Sequence, residues 1–174
     1  MIFTMTIEYF EEHLREYAQL MRLHRPIGIY LLLWPTLWAL WLAGNGQPPR
    51  GIVLIFVVGV ALMRSAGCVI NDIADRDFDP KVARTRDRPL AAGRVSLSEV
   101  VGLAAVLCLL AFALVLTQNA LTVQLSFVGL ALAISYPFMK RIHSLPQINL
   151  GMAFGWAIPM AYAAVTHSVP PIAW

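Results

Sequence analysis

Residues 51–79 read GIVLIFVVGVALMRSAGCVINDIADRDFD. Positions 51–70 are apolar or small except for Arg64 and Ser65, and about 20 such residues in a helix cross the roughly 30 Å hydrocarbon core of a bilayer. The nine that follow carry Asp72, Asp75, Asp77 and Asp79. A span that runs directly into a carboxylate cluster sets the expected fold class: all-α, a polytopic transmembrane helix bundle. Working outward, further apolar segments fall at about 27–43, 97–117, 120–138 and 147–166, giving five expected spans in one membrane domain over 1–174. The first is short, but Trp34, Trp38 and Trp41 suit an interfacial position. Gly44–Arg50 reads as a tight turn, and 117–120 as a short connection. Residues 5–24 read as an amphipathic surface helix, with Phe10, Leu14, Tyr17 and Met21 at three-to-four spacing. No internal repeat is visible.

The rest of the composition agrees. Of 174 residues 59% are hydrophobic and only 13% charged, against about 25% charged in soluble domains. After Glu99 there is no acid, and the only basic residues are Lys140 and Arg141. A net charge of +3 with no basic, aromatic-rich stretch argues against a nucleic-acid partner. Glu8, Glu11, Glu12 and Glu16 precede any apolar core, so a cleavable signal peptide is not expected. Cys68 and Cys108 lie inside apolar runs and read as small buried hydrophobes. Lys and Arg also fix an expected orientation. Eleven lie in the N-terminus, in 71–96 and in 139–146, against Arg50 on the other side and Arg64 within a span. The N-terminus and both loops are therefore expected on the cytoplasmic side of a bacterial inner membrane.

The loop 71–96 carries the chemistry. If the second span continued as helix, Asn71, Asp72, Asp75 and Asp79 would share an arc of about 100°, with Asp77 opposite. Carboxylates grouped at a membrane face repel one another unless a cation joins them. Oxygen ligands of this kind suit Mg²⁺, which binds one or two carboxylates and completes its shell with phosphate oxygens or water. Arg84, Arg86 and Arg88 follow, and guanidinium forks match phosphate. Carboxylates, a divalent cation and separate arginines together suit a diphosphate leaving group. The competing reading is a solvated loop whose charges pair among themselves.

The residue order resembles one family. Asn71, Asp72, Asp75 and Asp79 match the N-D-x-x-D-x-x-x-D motif of the UbiA prenyltransferases. Residues 81–90 and Tyr136-Pro137-Phe138-Met139-Lys140-Arg141 are similar to the segments that follow it, and residues 22–28 and 33–41 resemble the branch that prenylates 4-hydroxybenzoate. The resemblance implies Mg²⁺-dependent transfer of a polyprenyl group from polyprenyl diphosphate to the ring of 4-hydroxybenzoate, in ubiquinone biosynthesis. It implies Asp72, Asp75 and Asp79 as the catalytic metal ligands, and Asn71, Arg84, Arg88, Lys140 and Arg141 as diphosphate contacts. Arg25 and Tyr136 would contact the aromatic acid or organise the site, with a membrane anchor as the alternative for Arg25. Arg64 receives no catalytic role.

The family resembles a nine-span bundle with a second aspartate-rich motif. This sequence carries five spans and no such motif, so it is expected to be a fragment with no turnover of its own. The rival readings are a prenyltransferase with another aromatic or quinone acceptor, a cation-transporter fragment and an inert remnant. A transporter would place acids within its spans. A head-group phosphotransferase would need a D-G-x-x-A-R pattern that is absent here.

Overall fold

A computed structural model describes residues 2–139 and 145–174, with backbone alone for 2–10. Seven α-helices make up the described residues, with no strand among them: α1 (Ile2–Leu20), α2 (Ile27–Ala43), α3 (Arg50–Ala74), α4 (Leu97–Val115), α5 (Ala120–Met139), α6 (Pro146–Gly155) and α7 (Ala157–Thr166). Helices α3, α4, α5 and the stretch of α6 and α7 over Pro146–Thr166 are long and apolar enough to cross a membrane. At 17 residues α2 is apolar but shorter, about 25 Å of helix. Its Trp34, Trp38 and Trp41 face outward.

Helix α3 is the centre of the bundle and packs against α1, α2, α4, α5 and α7, most extensively against α4. Two apolar clusters hold it. Ala66 and Val69 of α3 meet Val100, Ala104 and Leu107 of α4, together with Leu20 at the end of α1. Ala39, Leu40 and Ala43 of α2 meet Phe56 of α3 and Ala161, Tyr162 and Ala164 of α7. Alanines dominate the second seam and contribute Ala66 and Ala104 to the first. Lipid solvates an apolar side chain as well as a protein does, so close backbone approach carries much of the association. Leu54, Val106 and Leu109 point outward, as lipid-facing residues should.

The last expected span is two helices meeting at Trp156. Pro159 supplies no N–H to the carbonyl of Gly155 four residues earlier, and its ring crowds that carbonyl. The break swings the Trp156 indole onto α5, where Nε1 donates to the Leu125 carbonyl at 2.8 Å. Only a glycine fits beneath it, because a Cβ built at Gly129 would lie 2.9 Å from the indole Cδ1.

Helix α3 also ends sooner than the sequence reading expects. It stops at Ala74, with Asp75 as its C-cap, and Asp79 opens a 3₁₀ turn over Asp79–Lys81. The amides of Phe78 and Asp79 both donate to the Asp75 carbonyl at 2.9 Å. The expected arc of four residues on one continuous helix is therefore corrected. Pro80 has no donor to continue the ladder, and the turn brings Asp79 to the same Arg88 nitrogen that Asp72 accepts from.

Replacing Gly129 with Val should force the Trp156 indole from its seat and break its hydrogen bond. A loss of about 2 kcal/mol is expected, in the range of overpacked cores. Thermal melting in detergent measures it, and Gly129→Ala should cost less.

Candidate active site

The polar site forms where α3 runs out and the loop 75–96 folds back across it. Asp72 is 2% exposed and Asp79 is 6% exposed. Buried carboxylates in an apolar bundle require partners, and two arginines supply them. Arg88 Nη1 donates to Asp79 Oδ2 at 2.7 Å and to Asp72 Oδ1 at 3.1 Å. Arg22 Nη2 donates to the same Asp72 oxygen at 2.7 Å. Asn71 Nδ2 donates to Asp75 Oδ2 at 3.1 Å. The loop itself is pinned by Thr85, whose buried hydroxyl donates to the carbonyls of Asp79 and Val82 at 3.1 and 3.4 Å. Its far end enters α4 through a capping box in which Ser96 and Glu99 bond each other's backbone amides.

Beside this cluster lies a cavity of about 700 Å³. Its polar part is lined by Arg22, Asn71, Asp75, Asp79, Arg84, Arg88 and Tyr136. Phe56, Val60 and Met63 of α3, Phe112 of α4 and Phe127 of α5 line its apolar part. Along α3 the lining runs from Asn71 back to Ile55, about 24 Å of helix. One wall therefore joins a charged mouth to a long greasy interior.

The sequence candidates divide as follows. Asn71, Asp75, Asp79, Arg84, Arg88 and Tyr136 line the cavity, while Asp72 lies behind it against the two arginines. Arg25 is exposed and does not line the cavity. Arg22, three residues earlier, does. Lys140 and Arg141 lie outside the described residues. Asp77 and Arg86 are exposed. Cys68 and Cys108 are both free thiols, one buried and one half-buried.

Sequence reading missed Arg22 and left Arg64 without a role. Arg22 adopts φ 55°, a left-handed conformation uncommon outside glycine. It closes the turn between α1 and α2 and sends the side chain inward. Nothing in the spacing of Arg22 and Arg25 announces which of them turns in. Arg64 also lines the cavity. Its guanidinium lies where a side chain at Gly28 would be, and it donates to the Cys68 thiol. Arg64 Nε is buried without a hydrogen-bond partner. The available signal was an ionisable residue inside a span two turns before Asn71.

Among the described residues no three Asp, Glu, His or Cys side chains close into a metal cage. Mg²⁺ does not require one, since substrate phosphates and water complete its shell. Asp75 and Asp79, facing the cavity with Asn71 and flanked by arginines, have the donor chemistry for that sharing.

Replacing Arg88 with Ala should leave Asp72 and Asp79 without the guanidinium they share. The expected cost is about 2 kcal/mol or more of stability, seen as a lower melting temperature in detergent. Arg88→Lys should restore only part, because an ammonium cannot copy the planar fork.

Comparison with known proteins gives a consistent answer. The UbiA prenyltransferase family profile matches residues 32–174. The 4-hydroxybenzoate octaprenyltransferase of Nitrosococcus oceani is 66% identical over 158 residues, covering 91% of this chain and 55% of that protein. The enzyme of the same name from Alkalilimnicola ehrlichii is 59% identical over 170 residues, 98% of this chain and 58% of that one. The chain thus spans little more than half the length of these curated relatives. Among solved structures, the apo UbiA homologue from Aeropyrum pernix K1 superposes with a TM-score of 0.71 at 32% identity, covering 80% of this chain and 50% of that one. A UbiA homologue from Archaeoglobus fulgidus bound to GPP and Mg²⁺ shares the fold with a TM-score of 0.74 at 17% identity, over 90% and 56%. With its apolar helices, its buried charge cluster and a family match over most of its length, the chain belongs to the UbiA prenyltransferase family and is a multi-pass membrane protein.

Proposed function

We propose that this chain forms the diphosphate-binding part of an enzyme that transfers a polyprenyl group from polyprenyl diphosphate to the ring of 4-hydroxybenzoate. The observation that carries the reading is the cavity, whose mouth pairs carboxylates with arginines and whose lining runs about 24 Å along α3 into a mainly apolar interior. The named activity of the similar octaprenyltransferases supports the choice of acceptor. The GPP and Mg²⁺ bound by the Archaeoglobus fulgidus homologue support the choice of donor and metal.

In this reading Asn71, Asp75 and Asp79 hold Mg²⁺ with the diphosphate oxygens, and Arg22, Arg84 and Arg88 hold the diphosphate itself. Lys140 and Arg141 join them from the segment after α5. Bound there, Mg²⁺ would neutralise the charge that grows on the leaving group as its C–O bond breaks. The apolar wall keeps water from the allylic cation so formed. The ring carbon ortho to the hydroxyl attacks the cation, and that carbon's proton leaves to restore aromaticity. Arg64, which lines the cavity within a span, is the candidate partner for the carboxylate of the acceptor. Arg25 is left as a membrane anchor. The eleven-to-one distribution of Lys and Arg puts the mouth on the cytoplasmic side of a bacterial inner membrane.

The test is reconstitution in lipid of the natural protein that carries these residues. Mg²⁺-dependent prenylation of 4-hydroxybenzoate is expected, abolished by EDTA. The methyl ester should be poorer by about tenfold or more in kcat/KM, because Arg64 loses its ionic partner. Residues 1–174 alone, about half the relatives' length, should give no turnover. Product formed without a divalent cation, or equal use of acid and ester, would refute the assignment.

A further inference from the structure

We propose that Asp72 is a positioning residue, whose carboxylate holds Arg22 and Arg88 in the cavity wall to receive a diphosphate, and is not a ligand of the metal. This rests on the reading of the site given above. One observation separates Asp72 from its neighbours in the motif, and two more indicate its role. First, Asn71, Asp75 and Asp79 line the cavity and Asp72 does not. Second, its carboxylate is 2% exposed, and one oxygen already accepts from Arg22 at 2.7 Å and Arg88 at 3.1 Å. Third, both arginines that it grips do line the cavity.

The geometry explains why such a residue is needed. Arg22 and Arg88 come from separate segments, the turn after α1 and the loop before α4, neither of which is a long helix. Long arginine side chains at such places lose rotamer freedom when they bind an anion. Asp72 is set rigidly on α3 and takes one nitrogen of each fork. Of the five N–H donors on each guanidinium, Asp72 takes one from each and Asp79 one more from Arg88, which leaves the rest for an anion in the cavity that both arginines line. Removing the carboxylate lessens repulsion of an incoming anion, but it also frees Arg22 and leaves Arg88 held by Asp79 alone. The anion must then order Arg22 itself, and that loss of preorganisation should outweigh the charge relief.

Two titrations of the natural protein in detergent test this. One follows inorganic pyrophosphate by calorimetry in EDTA, and the other follows Mn²⁺ by its electron paramagnetic resonance signal at saturating pyrophosphate. Asp72→Asn should weaken pyrophosphate by about tenfold or more and leave the Mn²⁺ affinity within about twofold of wild type. Asp75→Asn should do the reverse, weakening Mn²⁺ and sparing pyrophosphate. A variant that had merely lost structure would weaken both. If Asp72→Asn fails to fold, Arg22→Gln replaces it and should likewise weaken pyrophosphate alone. Loss of Mn²⁺ affinity in Asp72→Asn or Arg22→Gln to the extent seen in Asp75→Asn would overturn the proposal, and so would tighter pyrophosphate binding. A wild-type protein that held no pyrophosphate would overturn the reading of the site and this proposal with it.

Discussion

A carboxylate that is 2% exposed at the end of a membrane helix must be neutralised, and much of the polar architecture follows from how Asp72 meets that demand. Its partners come from both sides along the chain. Arg22 reaches it from the N-terminal turn and Arg88 from the loop before α4. One side chain on α3 thereby fastens the turn after α1, the long loop and the central helix together. Arg88 extends the link to Asp79. Glu16 with Arg94, and Tyr17 with Glu99, tie α1 to the far end of the same loop. Pairs of this second kind, exposed to water, contribute at most about 1 kcal/mol each. The buried group around Asp72 therefore matters more to the loop's path.

The apolar scaffold sets where such a cluster can exist. Lipid gives no hydrophobic drive between helices, so α3, α4, α2 and α7 associate through small residues and close packing. Ala66, Ala104, Ala161 and Ala164 mark those seams. Where helices diverge, packing leaves space, and the cavity occupies it between α3, α4, α5 and the broken pair α6 and α7. The break at Trp156 belongs to this arrangement. It lets one indole close part of the wall against Gly129 while keeping its N–H satisfied on α5.

The apolar periodicity made the helical class and the places of the long helices legible, because a lipid environment punishes almost any other solution. The acidic motif pointed to one end of α3, and most of its members do line one cavity. Three things could not be read. The helix was extended through Asp79, because spacing alone says nothing of the turn that Asp75 and Pro80 impose. Arg25 was preferred to Arg22, because the left-handed backbone at Arg22 arises from the way α1 and α2 meet. The place of Asp72 behind the cavity was the third, because a shared helix face in one dimension does not separate the side that faces a cavity from the side that faces an arginine.

The charge balance of the mouth bears on the order in which its ligands can arrive. Among the described residues at the mouth, Arg22, Arg84 and Arg88 balance Asp72, Asp75 and Asp79. A balanced group of this kind can fold beside lipid without a bound ion, which a bare group of aspartates could not. A diphosphate arriving alone would bind these arginines more weakly than its metal complex does, because part of its charge would stand beside buried carboxylates in a low dielectric. A divalent cation alone would meet carboxylates that the protein's own guanidiniums already occupy. Cation and diphosphate entering together change the net charge least, and each then finds the partners that suit it. The interleaving of acids and arginines in one short loop thus favours binding the proposed substrate as its metal complex.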